Sequence, residues 1–197
     1  GCRVVGLVTC CWALLAVGPT MGDESAPKRE QTVLVVVGAA GDDQYATLFA
    51  EWTEQWRTAA ESGGAKFLTI GIEQHDAADW ELLATTLEDL TTQDSHPLWL
   101  VLIGHGTFDG QTAKFNLRGP DVSASELAEW LKPFELPLAV INSASSSGPF
   151  LQALSSPGRV VVTATRSGHE SSFARFGGFL AGAINDPDAD LDKDSQV

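Results

Sequence analysis

An apolar run from Leu98 to Ile103 stops at Gly104-His105-Gly106, and a second, from Leu136 to Asn142, stops at Ser143-Ala144-Ser145-Ser146-Ser147-Gly148. The first site offers an imidazole and the second a row of hydroxyls. Those are the two groups acyl transfer needs: a base that accepts a proton near neutral pH, and an alcohol that attacks once relieved of one. With glycine on both sides, the His105 ring can stand clear of the chain. The serine run heads a helical stretch, so its backbone N–H groups and the positive end of the helix dipole would face a developing oxyanion. Taken alone, Gly-His-Gly is also an ordinary turn in which the glycines supply positive φ. Only the pairing of the two sites points to chemistry.

The elements that must carry these residues follow from apolar spacing. Thr32 to Val37 is β-branched and apolar without alternation, as in a strand of a parallel sheet buried on both faces. In Asp42 to Ser62, Tyr45, Leu48, Phe49, Trp52 and Trp56 recur at helical spacing on one face. Lys66 to Ile72 reads as a strand and Ala78 to Thr92 as a helix with Trp80, Leu83, Leu87 and Leu90 inward. Leu98 to Ile103 is the third strand, Phe115 to Leu117 a small hairpin arm, and Ser123 to Lys132 a helix with the capping-box pair Ser123 and Glu126. Leu136 to Asn142 is the fourth strand, followed by a helix from the serine run to about Leu154. Arg159 to Thr165 is the fifth strand, and Ser171 to Ile184 the last helix. Regular β-α alternation implies an α/β fold, a doubly wound, mostly parallel sheet of about five strands with helices on both faces. Ligands of such sheets bind beyond the carboxyl ends of the strands, where both sites fall.

The order strand, Gly104-His105-Gly106-Thr107, then strand, Ser145-Ser146-Ser147-Gly148, then Val160-Val161-Val162-Thr163-Ala164-Thr165-Arg166, then Gly178-Phe179-Leu180 resembles the caspase, metacaspase and legumain superfamily over Thr32 to Ile184. There a histidine follows the third strand and a cysteine follows the fourth within Cys-x-Ser-Gly. The resemblance implies His105 as base, Ser145 at the nucleophile position with Ser143 and Ser146 as alternative registers, and the Gly106 backbone as oxyanion donor. It further implies Arg166 as part of a substrate pocket, and no cofactor for catalysis. The cysteine is replaced by serine. A thiol with a pKa of about 8.5 is partly ionised near neutrality, whereas an alcohol must lose its proton as it attacks. The replacement favours a catalytically degenerate homologue that binds peptide or protein; the alternative is a working Ser-His hydrolase, a peptidase or esterase, using Ser145 and His105. A serine hydrolase also needs a group that orients the histidine, and Asp109 is the nearest acid in sequence.

Two other frames fit less of the chain. Ala144 to Gly148 has the small-x-Ser-x-small shape of a nucleophile elbow centred on Ser146, but no acid stands between Ser147 and Gly168 to precede His169. Gly38-Ala39-Ala40-Gly41 follows the first strand without the third glycine and spacing of a dinucleotide turn. Arg166, His169 and Glu170 share one loop. His75 and His96 read as loop residues, and no histidine pair has zinc-site spacing.

Length and charge bound the partners. The 197 residues suit one domain with ends, and a formal net charge of −14 excludes an extended phosphate partner such as DNA or RNA. All three cysteines, Cys2, Cys10 and Cys11, lie in residues 1–22, where Arg3 precedes an apolar run from Val4 to Val17. That pattern is a secretory signal: a membrane span needs about 20 apolar residues. The expectation is an exported, secreted or periplasmic domain over 32–185 with a linker at 23–31, no thiol and no membrane contact after signal removal. Residues 186–197 form an acidic tail in which Asp190, Asp192 and Asp194 match positions one, three and five of a calcium loop. A first residue other than methionine and an end inside this acidic stretch suggest a piece of a longer protein.

Overall fold

In the computed structural model, which describes residues 30–92 and 96–189, the apolar runs become the strands of a parallel sheet. Strands β1 (Thr32–Val37), β2 (Lys66–Ile70), β3 (Leu98–Ile103), β7 (Leu138–Asn142) and β8 (Arg159–Thr163) lie in the order β2-β1-β3-β7-β8, each pair parallel. Because successive strand side chains alternate between faces, Leu34, Val36, Leu100, Leu102 and Val140 point to one side and Val33, Val35, Val101, Ile103 and Ile141 to the other. Helices α2 (Asp79–Thr92), α3 (Ala124–Leu131) and α4 (Gly148–Leu154) cover the first side; α1 (Asp43–Gly63) and α5 (Phe176–Ile184) cover the second. The chain is thus a doubly wound α/β fold. Both faces being dry explains why β1 reads as an unbroken valine-rich run, each large side chain contributing about 1.5–3 kcal/mol on burial.

Several boundaries differ from those expected. Strand β2 ends at Ile70, because Gly71 turns with φ 93° under the Val37 carbonyl. Strand β7 begins after Pro137, which has no N–H to give the sheet. Helix α4 starts at Gly148, leaving the serine run outside it, and α5 starts at Phe176, with residues 171–175 forming a loop that carries Phe173 inward. The hairpin arm expected at Phe115 is a separate three-stranded antiparallel sheet of β4 (Gly106–Phe108), β5 (Ala113–Phe115) and β6 (Val122–Ser123). Strands of two or three residues are too short to carry a periodic signal.

This small sheet closes the point where the strand order reverses. From β1 the chain goes to β2 on one side and then to β3 on the other, so the carboxyl ends of β1 and β3 flank the switch point. Phe115, fully buried, lies over Gly38 and Gly104, and a Cβ on Gly38 would overlap the Asn116 carbonyl. Gly38 therefore serves a close approach of the small sheet, and the space a dinucleotide would need after β1 is filled by the chain itself. Asn116 ties the layers together: its N–H donates to the His105 carbonyl (3.0 Å), and its carbonyl accepts from the Ala39 N–H (3.0 Å). Two residues on, Arg118 clamps the buried Asp79 carboxylate with two 2.8 Å bonds and donates to the Glu73 carbonyl.

Two consequences can be measured by urea unfolding. Arg118→Ala strands a buried carboxylate and is expected to cost about 3 kcal/mol, part of which returns in the Asp79→Ala/Arg118→Ala double variant. At α3 the capping box is formed: the Ser123 hydroxyl accepts from the Glu126 N–H, and the Glu126 carboxylate accepts from the Ser123 N–H (2.9 Å) and hydroxyl. Ser123→Ala should cost about 1 kcal/mol. The Ser123 bonds hold the Glu126 carboxyl below its ordinary range. Its contribution is therefore complete above the unfolded carboxylate pKa and lost as pH falls through the lowered folded value, so Glu126→Gln should flatten the acid limb of stability against pH.

Candidate functional site

The carboxyl lip of the sheet brings three of the sequence-derived positions together. His105 follows β3, Gly106 opens β4, and the serine turn of residues 143–147 follows β7, the strand paired with β3. Ser143, Ser145, Ser146 and Ser147 are all buried, and most of their hydroxyls are engaged by backbone groups. The Ser143 Oγ donates to the Leu102 carbonyl at 2.7 Å, which anchors the turn to β3. The Ser145 Oγ donates to the Gly106 carbonyl and accepts from the Gly106 N–H, both at 3.2 Å. Ser147 shares a 3.2 Å bond with the Thr165 hydroxyl and accepts from the Thr165 N–H. Gly106 must be glycine here, since a Cβ would overlap the Ser145 carbonyl oxygen.

Ser146 stands apart. It has φ 53°, the one positive value among the described non-glycine residues, and its buried Oγ has no hydrogen-bond partner among the described residues. The left-handed conformation costs about 1–2 kcal/mol for a residue with a Cβ, and the turn is held by the Ser146 N–H donating to the Glu170 carbonyl at 2.9 Å. With 1% of its surface exposed, Ser146 does not present its hydroxyl as an elbow nucleophile would.

The His105 imidazole is hydrogen-bonded to main chain and not to the serines. Its Nε2 lies 3.2 Å from the Ala40 carbonyl, at the end of β1 across the switch point. A carbonyl oxygen only accepts, so Nε2 carries the proton and Nδ1 keeps the lone pair in the neutral ring. Tyr45 packs on the ring edge-to-face with centroids 4.7 Å apart, Phe49 lies at 5.4 Å and Phe173 at 5.9 Å. Thus α1, the loop before α5 and the end of β1 set the orientation of this ring. Among the described residues no hydrogen bond joins it to Ser143, Ser145 or Ser146, whereas a general base works within about 2.6–3.2 Å of the proton it takes. In this arrangement the Ser145 proton goes to a carbonyl, and the Gly106 N–H that would hold an oxyanion already has an acceptor.

Asp109, the acid nearest in sequence, is engaged elsewhere: its Oδ1 accepts from the Gln111 and Thr112 N–H groups, closing the turn between β4 and β5. Those bonds hold its carboxyl below the ordinary range. The group that orients His105 is the neutral Ala40 carbonyl, which fixes a tautomer but lacks the charge with which a carboxylate stabilises imidazolium. Sequence reasoning missed it because a backbone acceptor has no residue-type signal. Tyr45 and Phe49, which helical spacing places on one face of α1, also hold the imidazole with their rings.

Glu170 was noted only as a loop neighbour, yet its Oε1 accepts from the Arg166 N–H (3.1 Å), the Ser167 N–H (3.0 Å) and the Ser167 hydroxyl. Together with the Ser146 bond, this makes Glu170 the clamp between the loop after β8 and the serine turn. Arg166 is exposed beside it with no carboxylate on its guanidinium among the described residues, and His169 packs edge-on to Phe108 at 5.1 Å. No group of three or more metal-ligating side chains occurs among the described residues, and no helix there is long and apolar enough to cross a membrane. Asp190, Asp192 and Asp194, and the signal and most of the linker at 1–29, lie outside the described residues.

The tight contact at Gly106 yields a direct test. Gly106→Ala should destabilise the fold by about 2 kcal/mol or more, because backbone faces the added methyl and cannot rotate away. Chemical denaturation checks this, and Gly110→Ala, at an open turn position with φ 97°, should cost less.

No family model matches the chain, and no curated protein does. Among solved structures it is similar to the crystal structure of Chaetomium thermophilum Raptor, with 9% sequence identity and a TM-score of 0.46. That likeness covers 71% of this chain and spans 16% of the length of the other.

Proposed function

We propose that this chain is a non-catalytic homologue of the caspase, metacaspase and legumain superfamily, and that it works as a peptide- or protein-binding module. The observation that carries the reading is the pair of hydrogen bonds between Ser145 and Gly106. The hydroxyl at the nucleophile position fills the oxyanion donor and gives its proton to the carbonyl of the same residue, while the imidazole is committed to Ala40. Serine is also the weaker nucleophile for a dyad whose histidine has no carboxylate partner among the described residues. What remains at the lip is a binding surface: Arg166, exposed and held by the Glu170 clamp, offers a guanidinium to an acidic or carboxamide group of an extended partner.

One observation favours the active alternative, a Ser-His hydrolase. With Nε2 donating to Ala40, the lone pair of the neutral ring sits on Nδ1, the kind of acceptor a general base needs.

A fluorophosphonate probe separates the two. The binding module leaves Ser145 unlabelled, hydrolyses no fluorogenic peptide mixture, and enriches sequences from a displayed random peptide library. That enrichment should persist in Ser145→Ala and fall in Arg166→Glu. Labelling at Ser145 that disappears in His105→Ala would overturn the reading in favour of the hydrolase, and absence of any enrichment would sink the binding module.

A further inference from the structure

A second surface lies on the opposite side of His105, between α1 and α5. Tyr45, Leu48, Trp52, Phe173, Arg175 and Phe179 line an open groove of about 560 Å³. Three features mark it as more than a seam between helices. Phe179 is 73% exposed, the largest exposure of any big apolar side chain among the described residues. The Trp52 indole N–H has no acceptor among the described residues. Gly178 packs closely on this edge of the largely buried indole, and a Cβ there would come within 2.6 Å of Nε1 and close off its approach. Arg175 has no carboxylate partner among the described residues, whereas Arg57, Arg118 and Lys132 are ion-paired and Arg159 donates to the Leu131 and Leu154 carbonyls.

The groove therefore presents two unused donors, one of them cationic, in an aromatic trough whose lining includes no carboxylate. Such a trough complements a carboxylate beside a large apolar side chain: the anion accepts from the guanidinium and the indole N–H while the apolar group covers Phe179 and Leu48. We infer that this groove binds a peptide segment of a partner protein in which Asp or Glu adjoins an aromatic or branched aliphatic residue. The chain's net charge of −14 repels such a partner at long range. That repulsion is screened over about 8 Å at physiological salt, and the contact with Arg175 is short. The site is distinct from the serine turn and does not depend on the reading of that turn.

Two fluorescein-labelled peptides, Gly-Ser-Asp-Phe-Leu-Ser-Gly and the same peptide with Asn for Asp, test it on the full chain at physiological salt. The acidic peptide is expected to bind about tenfold more tightly, one charge-assisted hydrogen bond being the difference, and to shift the Trp52 indole resonance in nitrogen-15 NMR spectra. Arg175→Gln should abolish the preference for Asp, and Phe179→Ser should weaken both peptides. Both substitutions fall on exposed side chains, so the fold is retained. Lys132→Gln, at an exposed cation beside α3 on the other side of the sheet, should change nothing. An unmoved Trp52 resonance at millimolar peptide, equal affinity for the two peptides, a preference that survives Arg175→Gln, or loss of binding in Lys132→Gln would each overturn the inference.

Discussion

A parallel sheet dry on both faces exposes its polar backbone only where the strands end, and at the carboxyl end those groups must be satisfied by whatever the chain brings there. In this molecule the chain brings itself. The Gly38 N–H meets the Ile103 carbonyl, Asn116 spans Ala39 and His105, and the serine turn answers Leu102, Gly106 and Thr165 in sequence. An orphaned buried donor or acceptor costs about 1–3 kcal/mol, so these bonds constrain the lip as firmly as apolar packing constrains the core. The row of serines is therefore structural before it is anything else: short side chains that both donate and accept, placed where main chain from β3, β4 and β8 converges.

The same constraint decides how the chemistry-bearing groups are used. His105 and Ser145 emerge from adjacent strands at one lip, as a hydrolase would need, but each has taken a backbone partner. A carbonyl from the neighbouring side of the switch point and three aromatic rings orient the imidazole, so α1 and the loop before α5 act on it as directly as β3 does. Ser146 holds the remaining tension: a left-handed backbone and an unpartnered hydroxyl, kept in place by the Glu170 carbonyl from the next loop. The aromatic rings that frame His105 on one side form the wall of the α1–α5 groove on the other, so the two surfaces share Tyr45 and Phe173.

Long elements with a strong apolar period were legible residue by residue. The valines of β1, the Trp52 and Trp56 face of α1, the Leu83, Leu87 and Leu90 face of α2 and the Ser123–Glu126 cap all stand where their spacing puts them. The small antiparallel sheet was legible only as a fragment near Phe115, because two or three residues cannot display a period. The start of α4 was misplaced because serine suits both a first helical turn and a buried turn stitched to its neighbours. The Asp79–Arg118 clamp and the Glu170 clamp have no local signature at all: their partners are brought together by separate elements or by the exact path of one loop.

What the sequence by itself determined is the α/β architecture and the arrival of an imidazole and a row of hydroxyls at strand ends, since hydrophobic period and chain order suffice for both. Which acceptor each of those groups takes was decided by tertiary structure. Hydrogen-bond partners at a strand end are set by ångström-scale approach between segments far apart in the chain, such as Ala40 with His105 and Gly106 with Ser145, and no residue type announces a backbone carbonyl.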